Sequence, residues 1–253
     1  MAYTISLANQ KGGVGKTTSA VNCAAAVAAL GKRVLLVDLD PQGNATSGVG
    51  IQRKRVQHSS YDLMIGRAKA KEAILETRFQ NLSVLPSQIS LAGAEFELID
   101  IERREMLLKN ALSEIEADYD YIFIDCPPSL GILSINALTA SSGVIIPMQC
   151  EFYALEGLSQ LMMTIRQVKR LYNTSLEITG ILITMYNGRL NLSLQVLDEL
   201  KKYYADKLFK TGIVRNVKLS EAPSFGEPVI YYDKNSKGSR AYMDVAQEIL
   251  ERT

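Results

Sequence analysis

Ten residues near the start of the chain read Asn9-Gln10-Lys11-Gly12-Gly13-Val14-Gly15-Lys16-Thr17-Thr18. The apolar residues before them predict a short strand ending near Ala8, and the alanine-rich residues after them predict a helix from Thr17 to Leu30. A glycine-rich turn between a strand and a helix binds phosphate, because unpaired N–H groups and the positive end of the helix dipole meet there. The stretch therefore predicts a phosphate cradle.

The side chains of this cradle have separate expected roles. We expect Lys16 to neutralise the β and γ phosphates and the Thr17 hydroxyl to bind Mg²⁺. We expect positive φ angles that bring the chain close to the phosphates at Gly12, Gly13 and Gly15. The ordinary G-x-x-x-x-G-K-[ST] pattern is not met, because a glutamine stands at its first glycine. An incidental glycine-rich turn is the alternative, and the agreement of strand, loop and helix disfavours it.

Two acidic motifs follow strongly apolar runs. The run Val34–Val37 leads into Asp38 and Asp40, and the run Tyr121–Ile124 leads into Asp125. Continuous apolar runs are typical of strands buried on both faces, and acids at the carboxyl ends of such strands face the ligand crevice of an open α/β sheet. Either acidic motif alone is more often a turn or a helix cap. Beside a phosphate cradle, they indicate the carboxylates of a P-loop nucleotidase.

Strands and helices alternate along the rest of the chain. Further strands are predicted at Leu82–Leu85, Gly143–Ile146 and Ile178–Thr184. Further helices are predicted at Glu97–Ile115, Ile132–Ala140, Glu156–Leu171, Leu190–Tyr204 and Arg240–Glu251. This order predicts an α/β fold, a single-domain P-loop NTPase over residues 1–253, with a mostly parallel twisted sheet and helices on both faces.

Composition limits the classes of protein that fit. The chain has 253 residues, of which 47% are hydrophobic and 22% charged, so it can bury a sizeable core. No apolar run approaches the roughly 18 residues of a membrane span, and no leader precedes the first strand, so we expect a cytoplasmic protein. We expect Cys23, Cys126 and Cys150 to be buried thiols, and His58 to lie in a solvated loop where it is no catalytic base.

Five segments together resemble one family. They are Lys11–Thr18, Asp38–Asn44, Asp125–Pro128, Gln149–Leu158 and Asn216–Ser224. The chain resembles the deviant Walker ATPases of the MinD/ParA superfamily, and within them the ParA/Soj family, over nearly its whole length. The resemblance implies ATP and ADP with Mg²⁺ as ligands, and slow ATP hydrolysis as the reaction.

The resemblance also implies roles for single residues. Asp40 aligns the attacking water, Asp38 helps to organise the Mg²⁺ shell, and Asp125 reaches the metal through a water. The lysine that the family adds to the loop, here Lys11, reaches the phosphates of a second subunit, so that ATP joins a homodimer; a solvated surface lysine is the alternative. The nucleotide is expected on Lys11, Gly12, Gly13, Val14, Gly15, Lys16, Thr17, Thr18, Val214 and Asn216, although the family usually has proline at position 214.

Charge is distributed unevenly along the chain. Residues 165–218 hold ten basic and four acidic residues, a net +6, whereas the remainder holds −5 and the whole chain +1. A solvated basic face is an equal alternative by composition alone. Arg189 and Lys218 match basic positions of the ParA/Soj family that contact DNA, and Arg215 lies in the same segment. The resemblance thus implies sequence-independent binding of double-stranded DNA.

The family implies a role in chromosome or plasmid partition. A ParB-like centromere-binding protein would accelerate hydrolysis and release the DNA-bound dimer, and the protein would be nucleoid-associated. A MinD-like positioning ATPase would need a membrane-binding helix at the carboxyl terminus, but residues 241–253 are acidic and resemble a packed last helix, so no membrane partner is expected. A nitrogenase-type iron protein would need two cluster cysteines per subunit in glycine-rich loops, and Cys126 and Cys150 lack that context. A nucleotide-gated DNA-coating protein with negligible turnover remains open.

Overall fold

Seven strands form one sheet in the computed structural model, which describes residues 1–253. They are β1 (Tyr3–Leu7), β2 (Val34–Asp38), β3 (Leu75–Glu76), β4 (Leu82–Leu85), β5 (Tyr121–Asp125), β6 (Gly143–Gln149) and β7 (Glu177–Thr184). The order across the sheet is β3-β4-β2-β5-β1-β6-β7, with β3 antiparallel to β4 and every other pairing parallel. The predicted mostly parallel sheet is confirmed, and the two-residue strand β3 was too short to leave a pattern.

Twelve helices surround the sheet. They are α1 (Lys16–Ala29), α2 (Asn44–Gly48), α3 (Ser60–Met64), α4 (Ala70–Ala73), α5 (Leu91–Glu97), α6 (Leu107–Ser113), α7 (Ile132–Ala140), α8 (Ala154–Leu171), α9 (Asn191–Tyr204), α10 (Val217–Glu221), α11 (Val229–Tyr232) and α12 (Lys237–Arg252). One apolar core lies between the sheet and α1, α11 and α12, and a second lies between the opposite face and α3 to α9. Helices on both faces are therefore confirmed.

The helix predicted over Glu97–Ile115 is wrong. Helix α5 ends at Glu97, a short 3-10 turn follows at Arg104–Met106, and α6 begins only at Leu107. Arg103 has a φ of 55°, a left-handed conformation that no α-helix accommodates, and it turns the chain between the two helices. The isoleucines before this turn stay exposed, so the apolar residues there do not form the buried stripe of a helix.

The predicted last helix is confirmed as a packed one. Tyr242, Val245 and Ile249 of α12 are fully buried in the core that α12 shares with α1. The apolar face of α12 is thus covered by the protein itself. None of the helices is both long and apolar enough to cross a bilayer.

Three neighbouring strands position the site. Leu7 at the end of β1 pairs with Asp125 at the end of β5, which in turn pairs with Asp38 at the end of β2. Because these strands are parallel, their carboxyl ends lie at one edge of the sheet. That edge therefore brings together the glycine-rich loop after β1 and both predicted acidic motifs.

Candidate nucleotide site

The glycine-rich loop is fixed from the neighbouring strands. The Thr184 hydroxyl at the end of β7 donates to the Val14 carbonyl over 2.7 Å, and the Gln149 side chain at the end of β6 donates to the Gly13 carbonyl over 2.8 Å. Gly13 and Gly15 have φ angles of 74° and 84°, which glycine adopts without strain. These contacts fix the backbone of the glycine-rich loop at the carboxyl edge of the sheet.

Gly12 departs from the prediction. Its φ angle is not positive, so the expected left-handed conformation is wrong at this position. A Cβ atom placed on Gly12 would meet no atom of the chain within 4 Å. Neither the backbone conformation nor the packing within this chain therefore requires a glycine at position 12.

Lys16 lies inside the cradle. Its side chain is buried, and Nζ donates to the Lys11 carbonyl over 3.0 Å. Burial lowers the pKa of this ammonium group, while the nearby carboxylate of Asp125 and, more weakly, that of Asp40 act in the opposite direction. Lys16 thus places a desolvated positive charge where we expect the glycine-rich loop to bind phosphate.

Asp125 is a buried carboxylate without a hydrogen-bond partner. No donor reaches either of its oxygens in normal geometry. Burial, and after it the charge of Asp38, raise the pKa of Asp125, whereas the adjacent Thr17 hydroxyl and Lys16 ammonium lower it. Unpartnered buried oxygens are rare, and a carboxylate beside a hydroxyl is a donor set that suits a hard cation such as Mg²⁺.

The protein alone provides too few ligands to hold a metal ion. No group of three or more histidine, cysteine, aspartate or glutamate side chains comes together anywhere in the chain. A magnesium ion usually takes only one or two protein ligands and completes its shell with phosphate oxygens and water. Thr17 and Asp125 therefore fit an ion that arrives with a nucleotide.

Asp38 has a different environment from the one expected of a metal ligand. It is fully buried, and its carboxylate accepts hydrogen bonds from the Thr46 backbone and hydroxyl, each over 2.7 Å, and from the Asp40 N–H over 3.1 Å. Burial raises its pKa despite these bonds. Asp38 therefore anchors the loop after β2. Asp40 lies on that loop and lines a cavity beside the glycine-rich loop.

Two adjoining cavities open at this edge of the sheet. The first, of about 360 Å³, is lined by the glycine-rich loop together with Asp40, Asn44, Pro128 and Met185. The second, of about 440 Å³, shares Gly15, Thr18 and Met185 with it, and extends to Ile213–Asn216. Their size and chemistry suit a phosphate tail and a purine nucleoside. Val214 and Asn216, which the family resemblance assigns to the nucleotide, both line the second cavity.

Lys11 lies outside both cavities. Its ammonium group forms an ion pair with the Glu151 carboxylate, and the two side chains are 41% and 49% exposed. The Asn9 side chain fixes this part of the loop, since it accepts from the Lys11 N–H over 3.0 Å and donates to the Pro147 carbonyl over 2.8 Å. The two lysines of the loop therefore point into different surroundings, one buried and one at the surface.

The three predicted DNA-contact residues are not equivalent. Arg189 is exposed and forms no ion pair. Arg215 is exposed but lines the larger cavity, next to Asn216. Lys218 pairs with Glu221 over 2.8 Å, and that carboxylate, more than any other group, raises the pKa of Lys218. Only Arg189 stands fully free for an external anion.

The cysteines and the histidine lie where the sequence predicted them. All three thiols are buried, and burial raises the pKa of Cys150 to about 11 and those of Cys23 and Cys126 further. His58 lies in a bend between helical segments, away from both cavities. No nucleophilic thiol or imidazole base serves the site.

Comparisons with known proteins identify the family. The family model described as an AAA domain matches residues 2–178. The chain is 56% identical over 249 residues to the sporulation initiation inhibitor protein Soj of Bacillus subtilis, covering 98% of each chain. It is 48% identical over 250 residues to the chromosome partitioning protein ParA of Caulobacter vibrioides, covering 98% of this chain and 94% of that one. The chain belongs to the ParA/Soj family. As a member of this family of partitioning proteins, it is an ATPase.

A solved structure agrees with the ParA/Soj fold. Cobyrinic acid a,c-diamide synthase from Mycobacterium smegmatis, with bound ADP and magnesium, superimposes with a TM-score of 0.86 at 37% identity, covering 99% of this chain and 95% of that one. The predicted fold class, a P-loop α/β protein, is therefore confirmed.

Sequence reasoning missed the residues that support this ParA/Soj site. Thr46 holds Asp38, Thr184 and Gln149 hold the glycine-rich loop, and Glu151 holds Lys11. Each acts through one polar side chain, Thr46 from eight residues away and the other three from more than 130 residues away. Single threonines carry no local pattern, so no sequence signal indicated Thr46 or Thr184. Gln149 and Glu151 did stand within a segment quoted for the family resemblance, but nothing in the sequence showed what they contact.

Proposed function

We propose that the protein is a DNA-partitioning ATPase in which ATP joins two copies face to face. The observation that carries this proposal is the position of Lys11, whose ammonium group lies exposed beside Glu151 and outside the cavity that its own loop forms. A lysine in this position can serve the phosphates of a second copy. Gly12 supports the same arrangement, because nothing in the chain itself excludes a side chain there.

The bound nucleotide would extend over both cavities. The backbone of Gly12 to Thr18 and the Lys16 ammonium would hold the phosphates, and Val214 and Asn216 would flank the adenine. The side-chain oxygen of Asn216, Oδ1, already accepts from the Lys218 N–H over 2.8 Å, so the side-chain N–H groups of Asn216 are the ones left for the base.

Hydrolysis would depend on position and charge rather than on covalent chemistry. Asp40 would orient the attacking water, because it lies at the phosphate cavity on a loop that Asp38 and Thr46 anchor. When bound, Mg²⁺ would neutralise charge on the β and γ phosphates. Thr17 would contact it directly and Asp125 through a water, with Asp38 fixing the surrounding loop.

The joined dimer would bind double-stranded DNA without regard to sequence. Arg189, Arg215 and Lys218 lie on the segment that follows β7 and would contact backbone phosphates. A ParB-like centromere-binding partner would then accelerate hydrolysis and release the DNA. The relatives named for chromosome partition support this cycle, which would place the protein on the nucleoid.

DNA co-sedimentation tests the switch. The protein is spun with a long random-sequence duplex in the presence of ATP, ADP or no nucleotide, and the Asp40→Ala variant is compared with the wild type. We expect DNA binding only with ATP, and longer-lived binding by Asp40→Ala because it does not hydrolyse the nucleotide. Equal binding in all three nucleotide states contradicts the proposal.

Turnover measurements separate this function from a DNA-coating protein that uses ATP only as a switch. ATP hydrolysis is followed with and without DNA and a ParB-like partner, and we expect stimulation when both are present. A membrane-positioning ATPase of the MinD type is disfavoured, because the apolar face of α12 is already buried against α1.

A further inference from the structure

The segment between β2 and α3 carries the densest positive charge of the chain. Arg53, Lys54 and Arg55 form one exposed turn of 3-10 helix. No aspartate or glutamate occurs anywhere in residues 41–61. No ion pair involves any of the three basic side chains. We call this turn, residues 53–55, the basic turn.

The basic segment at residues 165–218 is far less free than its composition suggests. Five of its ten basic residues form ion pairs, which use all four acids of the segment and Glu221 besides. The pairs are Lys169–Glu177, Lys201–Asp198, Lys202–Glu199, Lys207–Asp206 and Lys218–Glu221. A paired surface lysine has to give up its carboxylate before it can bind a phosphate. The basic turn has no such competitor.

The backbone of the basic turn is held rigidly at the functional edge of the sheet. The Gln88 side chain, which follows β4, donates to the Arg53 carbonyl over 3.2 Å and to the Val56 carbonyl over 3.0 Å. The Arg53 guanidinium donates to the Gln42 carbonyl, and its side chain packs so closely on Gly43 that a Cβ there would lie 2.7 Å from Arg53 Cδ. Arg53 thus joins the turn to the loop that carries Asp40.

The basic turn and Arg189 lie on opposite sides of the nucleotide cavities. The turn lies over the ends of β2 and β4, whereas Arg189 follows β7, and all three strands end at the same edge. Four strand spacings separate β2 from β7 in the sheet order, which is about 19 Å at about 4.8 Å each. The basic turn and Arg189 thus follow strands that end at one edge of the sheet, where a long polyanion such as a DNA duplex can contact both.

We propose that the basic turn is a second contact for DNA phosphates. Lys54 and Arg55 make this contact, and Arg53 connects the turn to the loop that carries Asp40. Lysine and arginine bind backbone phosphates without reading sequence, as non-specific DNA binding requires. The turn fits a polyanion because its basic side chains are exposed and form no ion pairs, and because the Gln88 contacts hold its backbone. This inference rests on the proposed function, which supplies DNA as the ligand.

The test is a salt titration of DNA affinity with ATP present. The double variant Lys54→Gln/Arg55→Gln is compared with the wild type, with Arg189→Ala, and with Arg166→Gln/Arg170→Gln. That last pair removes the same charge from two exposed, unpaired arginines in the final turns of α8, far from the carboxyl edge. Each lost phosphate contact lowers the slope of log affinity against log salt by about 0.9.

We expect the basic-turn variant to bind DNA more weakly with a salt slope smaller by about 1.8, and the α8 variant to resemble the wild type. The affinity ratio of wild type to basic-turn variant should then fall about twelvefold between 50 and 200 mM salt, which is four raised to that slope. Unchanged binding of a fluorescent ATP analogue shows that the variant is folded.

Each other outcome overturns the inference in a recognisable way. If Arg189→Ala weakens binding and the basic-turn variant does not, the basic turn is no DNA contact and the proposed function stands. If the basic-turn and α8 variants weaken equally, only the overall charge matters. If the wild type binds no DNA with ATP, the proposed function and this inference fail together.

Discussion

The two lysines of the glycine-rich loop lie five residues apart in opposite environments. Lys16 is buried among carboxylates and has a lowered pKa, whereas the Lys11 side chain is 41% exposed and its ammonium group is paired with a surface glutamate. In the buried centre, hydrogen bonds within one chain hold both the glycine-rich loop and the loop that carries Asp40. Lys11 and Gly12 form the exposed rim of the site, and no contact within the single chain gives either residue a function there. If the proposed function holds, we therefore expect nucleotide binding and nucleotide-driven dimerisation to be separable by mutation.

Exchanging the two lysines for alanine tests this separation most severely. Lys16→Ala should weaken ATP binding by the monomer about 100-fold, because each hydrogen bond to a charged group contributes about 1.5–3 kcal/mol. Lys11→Ala should bind ATP almost as the wild type does and yet form no dimer. Fluorescent-nucleotide titration measures the first effect and light scattering with ATP the second.

The same pair of variants can also refute the comparison. ATP-dependent dimers of Lys11→Ala at wild-type concentrations would make Lys11 an ordinary surface lysine. Melting temperatures close to that of the wild type are required of both variants, so that lost binding is not confused with lost folding.

The buried centre also depends on a residue outside every motif. Thr46 is fully buried, and its hydroxyl donates to Asp38 over 2.7 Å and accepts from the Ser87 N–H over 2.9 Å. Thr46→Val should lower the free energy of unfolding by about 2 kcal/mol, because it leaves a buried N–H and a buried carboxylate short of a partner. Urea denaturation measures the change.

A neighbouring hydroxyl provides the control for Thr46. Ser47 is only half buried and donates to a single carbonyl, that of Gly43, over 3.1 Å. Ser47→Ala should cost about 0.5–1 kcal/mol. Equal losses for the two variants would show that Asp38 does not depend on Thr46, and that the Asp40 loop is held in another way.

These supporting contacts mark the limit of what the sequence could predict. The six longer strands and the cradle were predictable because apolar runs and glycine spacing are local patterns. The break between α5 and α6 was not, since it depends on one left-handed arginine. Thr184 and Glu151 contact residues more than 130 positions away along the chain, and Thr46 joins Asp38 to Ser87, so these contacts become visible only when the strands are in register.

Charge shows the same limit. Composition predicted a basic face at residues 165–218, but the ion pairs within that segment neutralise half of its cations. Counting charges along a sequence does not reveal which of them are paired in space. Nothing in the sequence indicated a function for the basic turn at residues 53–55, because only the structure shows that its three charges form no ion pairs.

The smallest expected effect concerns the contact that holds Lys11 in the free chain. Lys11 has to leave the Glu151 carboxylate before it can serve a second copy, so Glu151→Gln should let ATP-dependent dimers form at lower protein concentration. The pair is exposed at both ends and screened by solvent, so the gain should be at most about fivefold and should shrink with added salt. Glu156→Gln, on an exposed and unpaired glutamate of α8, is the matched control.

Sedimentation velocity over a concentration series resolves a shift of this size. Weaker dimerisation of Glu151→Gln would mean that the Glu151 carboxylate stabilises the dimer. The ion pair would then hold Lys11 in the position that the dimer needs, instead of keeping it from the second copy.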